Sequence, residues 1–309
     1  MAAAGGRPAA GRQRLRGRRR GDLPVNRRVR GAAMLLVMWL IVLLTALIGA
    51  FALTARIESL QGRNASEGAI AAQAARAGLE YSLVRVNEND PRRQWRPDGR
   101  DYVWRFDRAV VRIKIVDESG KINLNIADAP LLAGLWRALG VEQDQAARLA
   151  SAIIDWRDGD SLSQAQGGAE DAQYAEAELP YGAKDAPFET VAELQQVLGM
   201  TPELYAKAEP YLTVYGTLQT PDATFAEGVV LQAMGLNAET VLQQRNAPVD
   251  TGVTQPFVGF GSGTYSIDSR ARLPNGRESV LRAVVRTGAN RIPGSAYTAL
   301  RWEEGGIPR

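Results

Sequence analysis

The sequence predicts an α+β fold: one long N-terminal helix packed on an antiparallel sheet, with an inserted all-α domain between the strands. Three observations carry that expectation. Ala32 to Ala55 is a run of 24 residues without a charge, and no proline interrupts the chain between Pro24 and Pro91. Two regions, near residues 100–116 and 263–287, alternate apolar and polar side chains with the period of a half-buried strand. Between them lie apolar stripes of helical period, punctuated by capping residues and prolines.

The bulk numbers bound the function. The chain has 309 residues, 45% of them apolar, enough to bury a core and to hold two packed units. Its net charge of +3 is unevenly placed. Residues 1–31 hold ten arginines and one acid, Asp22, which leaves 27 basic and 33 acidic residues beyond them, a net of −6. An acidic body is a poor match for a phosphate backbone. The absence of cysteine excludes disulfides, and the absence of histidine removes the usual general base near neutral pH and the commonest transition-metal ligand. Most hydrolase readings fall with it.

The uncharged run Ala32–Ala55 is about 36 Å long as a helix, sufficient for a hydrocarbon core of roughly 30 Å. Arg27, Arg28 and Arg30 crowd its N-terminal side, which predicts a cytoplasmic N-terminus and an exported remainder. A cleaved secretory signal has an apolar region of only about 7–15 residues, shorter than this one. Beyond Arg56 the helical stripe continues through Ile70, Ala74, Ala77, Tyr81 and Val84 and stops at Asn87-Glu-Asn-Asp-Pro91. One helix to about residue 88 is therefore expected, weakened locally at Gly62, Gly68 and Gly78.

Past Pro91 the period changes. Tyr102–Phe106 and Val110–Val116 read as strands, with Val111, Ile113 and Ile115 on one face. Residues 264–272 and 278–286 read as two more, joined at Pro274-Asn-Gly-Arg277, whose Asn-Gly favours a tight hairpin. In the middle, helices are expected over 130–139, 143–156, 190–198 and 201–210. Trp104, Trp136 and Trp156 are expected in packing, and Gly259–Gly263 as a turn. The stretch from Lys121 through two helices has the outline of a helix-hairpin-helix module, which makes a membrane-anchored DNA-binding protein the alternative function. That module holds phosphate on a glycine-rich turn, whereas Leu139-Gly-Val-Glu-Gln-Asp144 has one glycine and two acids.

The segment Arg27-Arg-Val-Arg-Gly31 followed at once by the apolar helix resembles the class III leader that prepilin peptidase cuts after a glycine. The ordered series Asp117-Glu-Ser-Gly-Lys-Ile-Asn-Leu-Asn125, Ile153-Ile-Asp-Trp-Arg-Asp158, Gly168-Ala-Glu-Asp171 and Pro187–Leu194 resembles the K-class minor pseudopilins of type II secretion systems. That resemblance implies a pilin-like fold, no enzymatic activity, cleavage between Gly31 and Ala32, and methylation of the new amino terminus. Other minor and major pseudopilins, packed through the N-terminal helix, would be its partners, with prepilin peptidase and the inner membrane and without nucleic acid. The family pattern usually has glutamate at the fifth mature position, here Leu36, a departure the K class shares and one that suits a subunit at the filament tip. The expected organisation is a basic leader at 1–31, a membrane span at 32–55 and the soluble part of the helix at 56–90. Segments 91–121 and 216–290 form the sheet domain, 122–215 the inserted helical domain and 291–309 a mobile tail.

Asp155-Trp-Arg-Asp158-Gly-Asp160 ends a helix and enters a loop that closes with Glu170 and Asp171. Such carboxylates either stand apart as a solvated acidic loop or gather a hard cation, and calcium takes six to eight oxygens in flexible geometry. EF-hand spacing is absent. The family resemblance implies structural calcium, on Asp158, Asp160, Glu170 and Asp171.

Overall fold

The computed structural model describes residues 29–90, 92–246, 261–288 and 296–305. Most of the basic leader, including Arg27 and Arg28, lies outside the described residues, as do Gly259 and Phe260 of the expected turn. Helix α1 spans Val29–Val86, 58 residues without a proline. The chain divides into two compact units at Arg63/Asn64. In the first, the helix presents Leu35, Trp39, Ile48 and Phe51 fully outward, and none of its apolar window is buried by protein. Thr45 and Thr54 turn their hydroxyls back onto the carbonyls of Ile41 (2.8 Å) and Ala50 (3.0 Å), so neither polar group faces an apolar surrounding unpaired.

The second unit holds a five-stranded antiparallel sheet. Strands β1 (Asp98–Phe106) and β2 (Ala109–Asp117) form one hairpin, and β5 (Thr264–Arg272), β6 (Glu278–Thr287) and β7 (Tyr297–Glu304) follow later in the chain. Their order is β1-β2-β5-β6-β7. Alternation works as expected: Val111, Ile113 and Ile115 are fully buried under α1 together with Ile267, Ala271 and Val285. Each of the valine and isoleucine side chains contributes about 1.5–3 kcal/mol through burial. The Asn-Gly hairpin closes with Leu273 donating to the Arg277 carbonyl (2.9 Å) and Gly276 at φ +84°.

Two expectations shift here. The buried stripe of α1 runs through Ala71, Ala74, Ala75, Leu79 and Leu83, so Ala74 is buried as expected while Val84 is 63% exposed. Gly78 is the reason. A Cβ there would lie 2.5 Å from Ser269 Oγ and 2.6 Å from Val111, so the helix touches the sheet at the residue that a hydrophobic count skips. The Ser269 hydroxyl then donates to the Ala75 carbonyl (2.7 Å). The second correction concerns 291–309, expected as a mobile tail. Residues 297–304 form β7, pairing Tyr297 with Thr287 and Trp302 with Ala283. Its partly buried residues Tyr297, Leu300 and Trp302 are not strictly alternate, because the register shifts between Val284 and Val285, and the strand therefore lacks the period-two signal.

Between β2 and β5, which are neighbours, the chain leaves to build a second core. It includes the short parallel pair β3 (Ile122–Asn123) and β4 (Leu212–Thr213), and helices α2 (Ala129–Ala138), α3 (Gln143–Arg157), α4 (Asp171–Glu176) and α5 (Pro202–Ala208). The caps are those the sequence offers: Asp128 accepts from Leu131 N–H (3.0 Å) and Thr201 from Leu204 N–H (3.2 Å). The expected helix at 190–198 is a 3-10 turn, Val191–Gln196. Helices α6 (Gly228–Ala233) and α7 (Ala238–Asn246) fall in the region expected with the sheet, yet Val230, Leu231 and Ala238 pack in the helical core with Trp136, Leu149 and Ile153. Gly134 of α2 lies against the Ala233 backbone with no room for a Cβ.

Asp117 ties the two ends of the insert. One carboxylate oxygen accepts from Ser119 N–H (2.8 Å), the other from Ser262 N–H (2.7 Å). Beside it the buried Glu118 takes Lys121 Nζ (2.6 Å) and the hydroxyls of Ser266 and Thr213. The asparagines of the Asn-Leu-Asn segment work across the insert. Asn123 donates to the Gly216 carbonyl (2.6 Å), and Asn125 exchanges two hydrogen bonds with the Phe188 backbone (2.7 and 2.9 Å).

Candidate metal centre

Helix α3 delivers the first carboxylate. Ala146, Leu149, Ala150 and Ile153 hold its apolar side in the core, and that places Asp155 in the last turn with no exposure at all. Asp158, three residues on, is the C-cap, its N–H donating to the Ile154 carbonyl (3.0 Å). Spacing of three puts both on one helical face. The loop then folds back over Asp155: Gln164 N–H donates to its two oxygens (3.3 and 3.2 Å), and Gly168 passes so close that a Cβ would overlap Asp155 Oδ2. Glu170, the N-cap of α4, brings in the third carboxylate, with its own N–H held by Gln173 Oε1 (3.0 Å).

One oxygen from each of Asp155, Asp158 and Glu170 lies within 4.8 Å of the others. Two buried oxygens there, Asp158 Oδ1 and Glu170 Oε1, have no hydrogen-bond partner. Buried acceptors left unpaired are costly. The electrostatics agree. Burial pushes Glu170 up to about 7, and the charges of Asp155, Asp158, Asp185 and Asp160 push the same way. Asp155 is raised by burial, against the Gln164 N–H, and further by Asp158. Asp158 is raised by burial and by Asp160, with Arg157 opposing. Arg157 itself is turned away, its guanidinium donating to the carbonyls of Leu124 and Ala127 (the latter 2.6 Å). Burial lowers its pKa.

Of the four carboxylates singled out by sequence, the fold therefore brings together Asp158 and Glu170. Asp160 is exposed and accepts from Leu162 N–H (2.9 Å), near enough to act on the others by charge only. Asp171 opens α4 and turns its carboxylate to Gly182. In their place stands Asp155, which the sequence offered only as part of a signature; its i, i+3 relation to Asp158 was the available signal. Asp185, at φ +52°, adds a further charge that raises both Asp158 and Glu170. The donor set, all carboxylate oxygens with two unpaired, fits a hard divalent cation such as calcium and does not fit a soft metal.

At the helix-hairpin-helix position, the amides that would hold phosphate are already taken. Glu142 caps α3, its Oε2 accepting from Asp144 N–H (2.9 Å) and Gln145 N–H (3.4 Å).

The family described as "Type II secretion system (T2SS), protein K" matches residues 114–217, from within β2 through the carboxylate cluster to just past β4. Type II secretion system protein K of Pectobacterium carotovorum subsp. carotovorum is 26% identical over 249 residues, covering 71% of this chain and 76% of the relative. That of Aeromonas hydrophila is also 26% identical, covering 72% and 78%. These likenesses support a type II secretion system protein K. It is thus a minor pseudopilin, and its apolar helix fits a single membrane anchor. Among solved structures, a chain of the GspK-GspI-GspJ complex from enterotoxigenic Escherichia coli shares the fold, with a TM-score of 0.57 at 18% identity, covering 81% of this chain and all of that one. The part of the chain matched by the family description holds α2 to α5 and the three carboxylates, while α1, β1, α6, α7 and β5 to β7 lie outside it.

Proposed function

We propose that this minor pseudopilin sits at the tip of a periplasmic pseudopilus, where it initiates assembly and supports protein export across the outer membrane. Leu36 carries the placement. Where a glutamate at the fifth mature position would meet the amino terminus of the subunit ahead, leucine makes no such contact, and a tip subunit has none ahead. The arginines before the span orient the N-terminus to the cytoplasm and the sheet and helical insert to the periplasm. Prepilin peptidase cleaves between Gly31 and Ala32, both in the first turn of α1, and the new amino terminus is methylated. Other pseudopilins pack along α1, in keeping with the complex in which the structural relative was solved.

Calcium belongs in this reading. Asp155, Asp158 and Glu170 would hold it, replacing a proton on Glu170 and pairing the two orphaned oxygens. It would fasten the end of α3 to the start of α4 in a chain without disulfides. The decisive experiment co-expresses the chain with prepilin peptidase and its sister pseudopilins, sequences the mature N-terminus, and scores secretion with Leu36 intact or replaced by glutamate. A start at Ala32 and loss of secretion in Leu36→Glu are expected. A start well beyond the apolar run, or full secretion by the variant, would overturn the corresponding part of the proposal.

A further inference from the structure

The sheet has a second face, opposite α1, that none of the chemistry above uses. Register fixes which residues share it: Val103 pairs with Arg112 and Arg112 with Arg270, while Arg105 pairs with Val110 and Val110 with Arg272. On the next strand Arg282 stands opposite Asp268. Arg112 and Arg270, like charges directly across two strands, sit side by side, an arrangement that costs stability in the isolated sheet. Carboxylates on this part of the face are fewer than the arginines. Asp268 serves both Arg270 (3.0 Å) and Arg282 (3.2 Å), Glu278 serves Arg272 (3.4 Å), and Asp101 acts on Arg270 by charge. Among the described residues the Arg105 and Arg112 side chains have no hydrogen bond or ion pair. Both are exposed, Val103 beside them is 63% exposed and Val110 41%. This stands on a body whose overall charge beyond the leader is −6.

We propose that this face, centred on Arg105, Arg112, Arg270 and Arg272, binds an acidic, extended segment of a partner protein. Arg270 and Arg272, two residues apart on one strand, are spaced by about 6.8 Å, the same repeat at which alternate carboxylates emerge from an extended chain. Guanidinium forks match carboxylates in a bidentate manner, and Val103 and Val110 supply apolar contact between them. The interleaved Asp101, Asp268 and Glu278 favour a patterned protein partner over a uniformly anionic lipid surface, which they would repel. The surface is independent of the calcium centre and of tip placement.

The probe is a labelled twelve-residue peptide of alternating glutamate and threonine, titrated at low salt against the full chain in phosphatidylcholine nanodiscs, with fluorescence anisotropy as readout. A peptide with the same residues in two blocks, and phosphatidylglycerol vesicles, serve as comparisons. The alternating peptide should bind at least tenfold more tightly than the block peptide. The double change Arg112→Ser and Arg272→Ser should remove that preference without altering the melting temperature by more than a few degrees. Arg277→Ser, on the hairpin tip, should leave it intact. Equal binding of the two peptides, equal binding by the double variant, or vesicle capture that depends on Arg112 and Arg272 would each overturn the proposal.

Discussion

Glu170→Gln tests the carboxylate cluster most directly, because it removes a charge and keeps the shape. Glu170 is 7% exposed and its pKa is pushed from 4.5 up to about 7. A displacement of that size, at about 1.4 kcal/mol per pH unit, corresponds to about 3 kcal/mol. The sign follows from which state holds more protons. Between pH 4.5 and 7 the folded chain keeps the Glu170 proton while the unfolded chain has lost it, so stability falls as pH rises through this window. Above about pH 7 the cost is complete, and the raised values of Asp155 and Asp158 act in the same direction. With chelator present, the wild type should therefore unfold at a lower temperature at pH 8 than at pH 5, by roughly 6–12 °C from this group. Glu170→Gln should recover most of that loss at pH 8, standing above the wild type. Millimolar calcium should reverse the order, raising the wild type at pH 8 and leaving the variant unmoved. Thermal unfolding of the detergent-solubilised chain, followed by tryptophan fluorescence, reads all four conditions. A wild type equally stable at both pH values in chelator would refute the electrostatic argument. A variant that keeps the calcium response would refute Glu170 as a ligand.

Asp155→Asn should abolish the calcium-dependent rise in melting temperature while Asp171→Asn keeps it, since only Asp155 belongs to the trio; equal behaviour of the two would reinstate the ligand set expected from sequence. Gly78→Ala should destabilise the fold by about 1–3 kcal/mol, because the added methyl meets Val111 and Ser269 at 2.6 and 2.5 Å. Denaturant titration measures it, and an unchanged midpoint would mean that the helix lifts from the sheet without cost. Ending the chain at Gly288 should cost about 2–4 kcal/mol through loss of β7 and of the half-buried Tyr297 and Trp302. A truncated chain with wild-type stability would return 291–309 to the status of a dispensable tail.

What the sequence made legible, and what it hid, divides along one physical line. Periodic apolar burial was readable: Val111, Ile113 and Ile115 announced their strand, and Ala150 and Ile153 announced α3. So was the helix start at Thr201, whose chemistry is local. Features that depend on distant backbone were not. Gly78 is silent in a hydrophobicity profile, yet its missing side chain rotates the buried stripe of α1 away from Val84. Helices α6 and α7 join the helical core because Gly134 lets α2 approach Ala233, a fact with no sequence-local signature.

The cluster obeys the same division. The family resemblance implies Asp158, Asp160, Glu170 and Asp171 as one ligand group, all of them on a single acidic loop. Burial then sorts them by direction rather than proximity. Asp155 points inward with the apolar face of α3, and Gly168 lets the loop close on it. Asp160 finds a backbone amide of its own and Asp171 turns to Gly182. A carboxylate whose oxygens both reach water or an amide can stay charged without a cation, although one so bonded, such as Asp155, can still lend an oxygen to it. Those that cannot, Asp158 and Glu170 with their unpaired oxygens, must take up either a proton or a cation. Competition between these two outcomes would make the expected pH dependence and the expected calcium response opposite faces of one site.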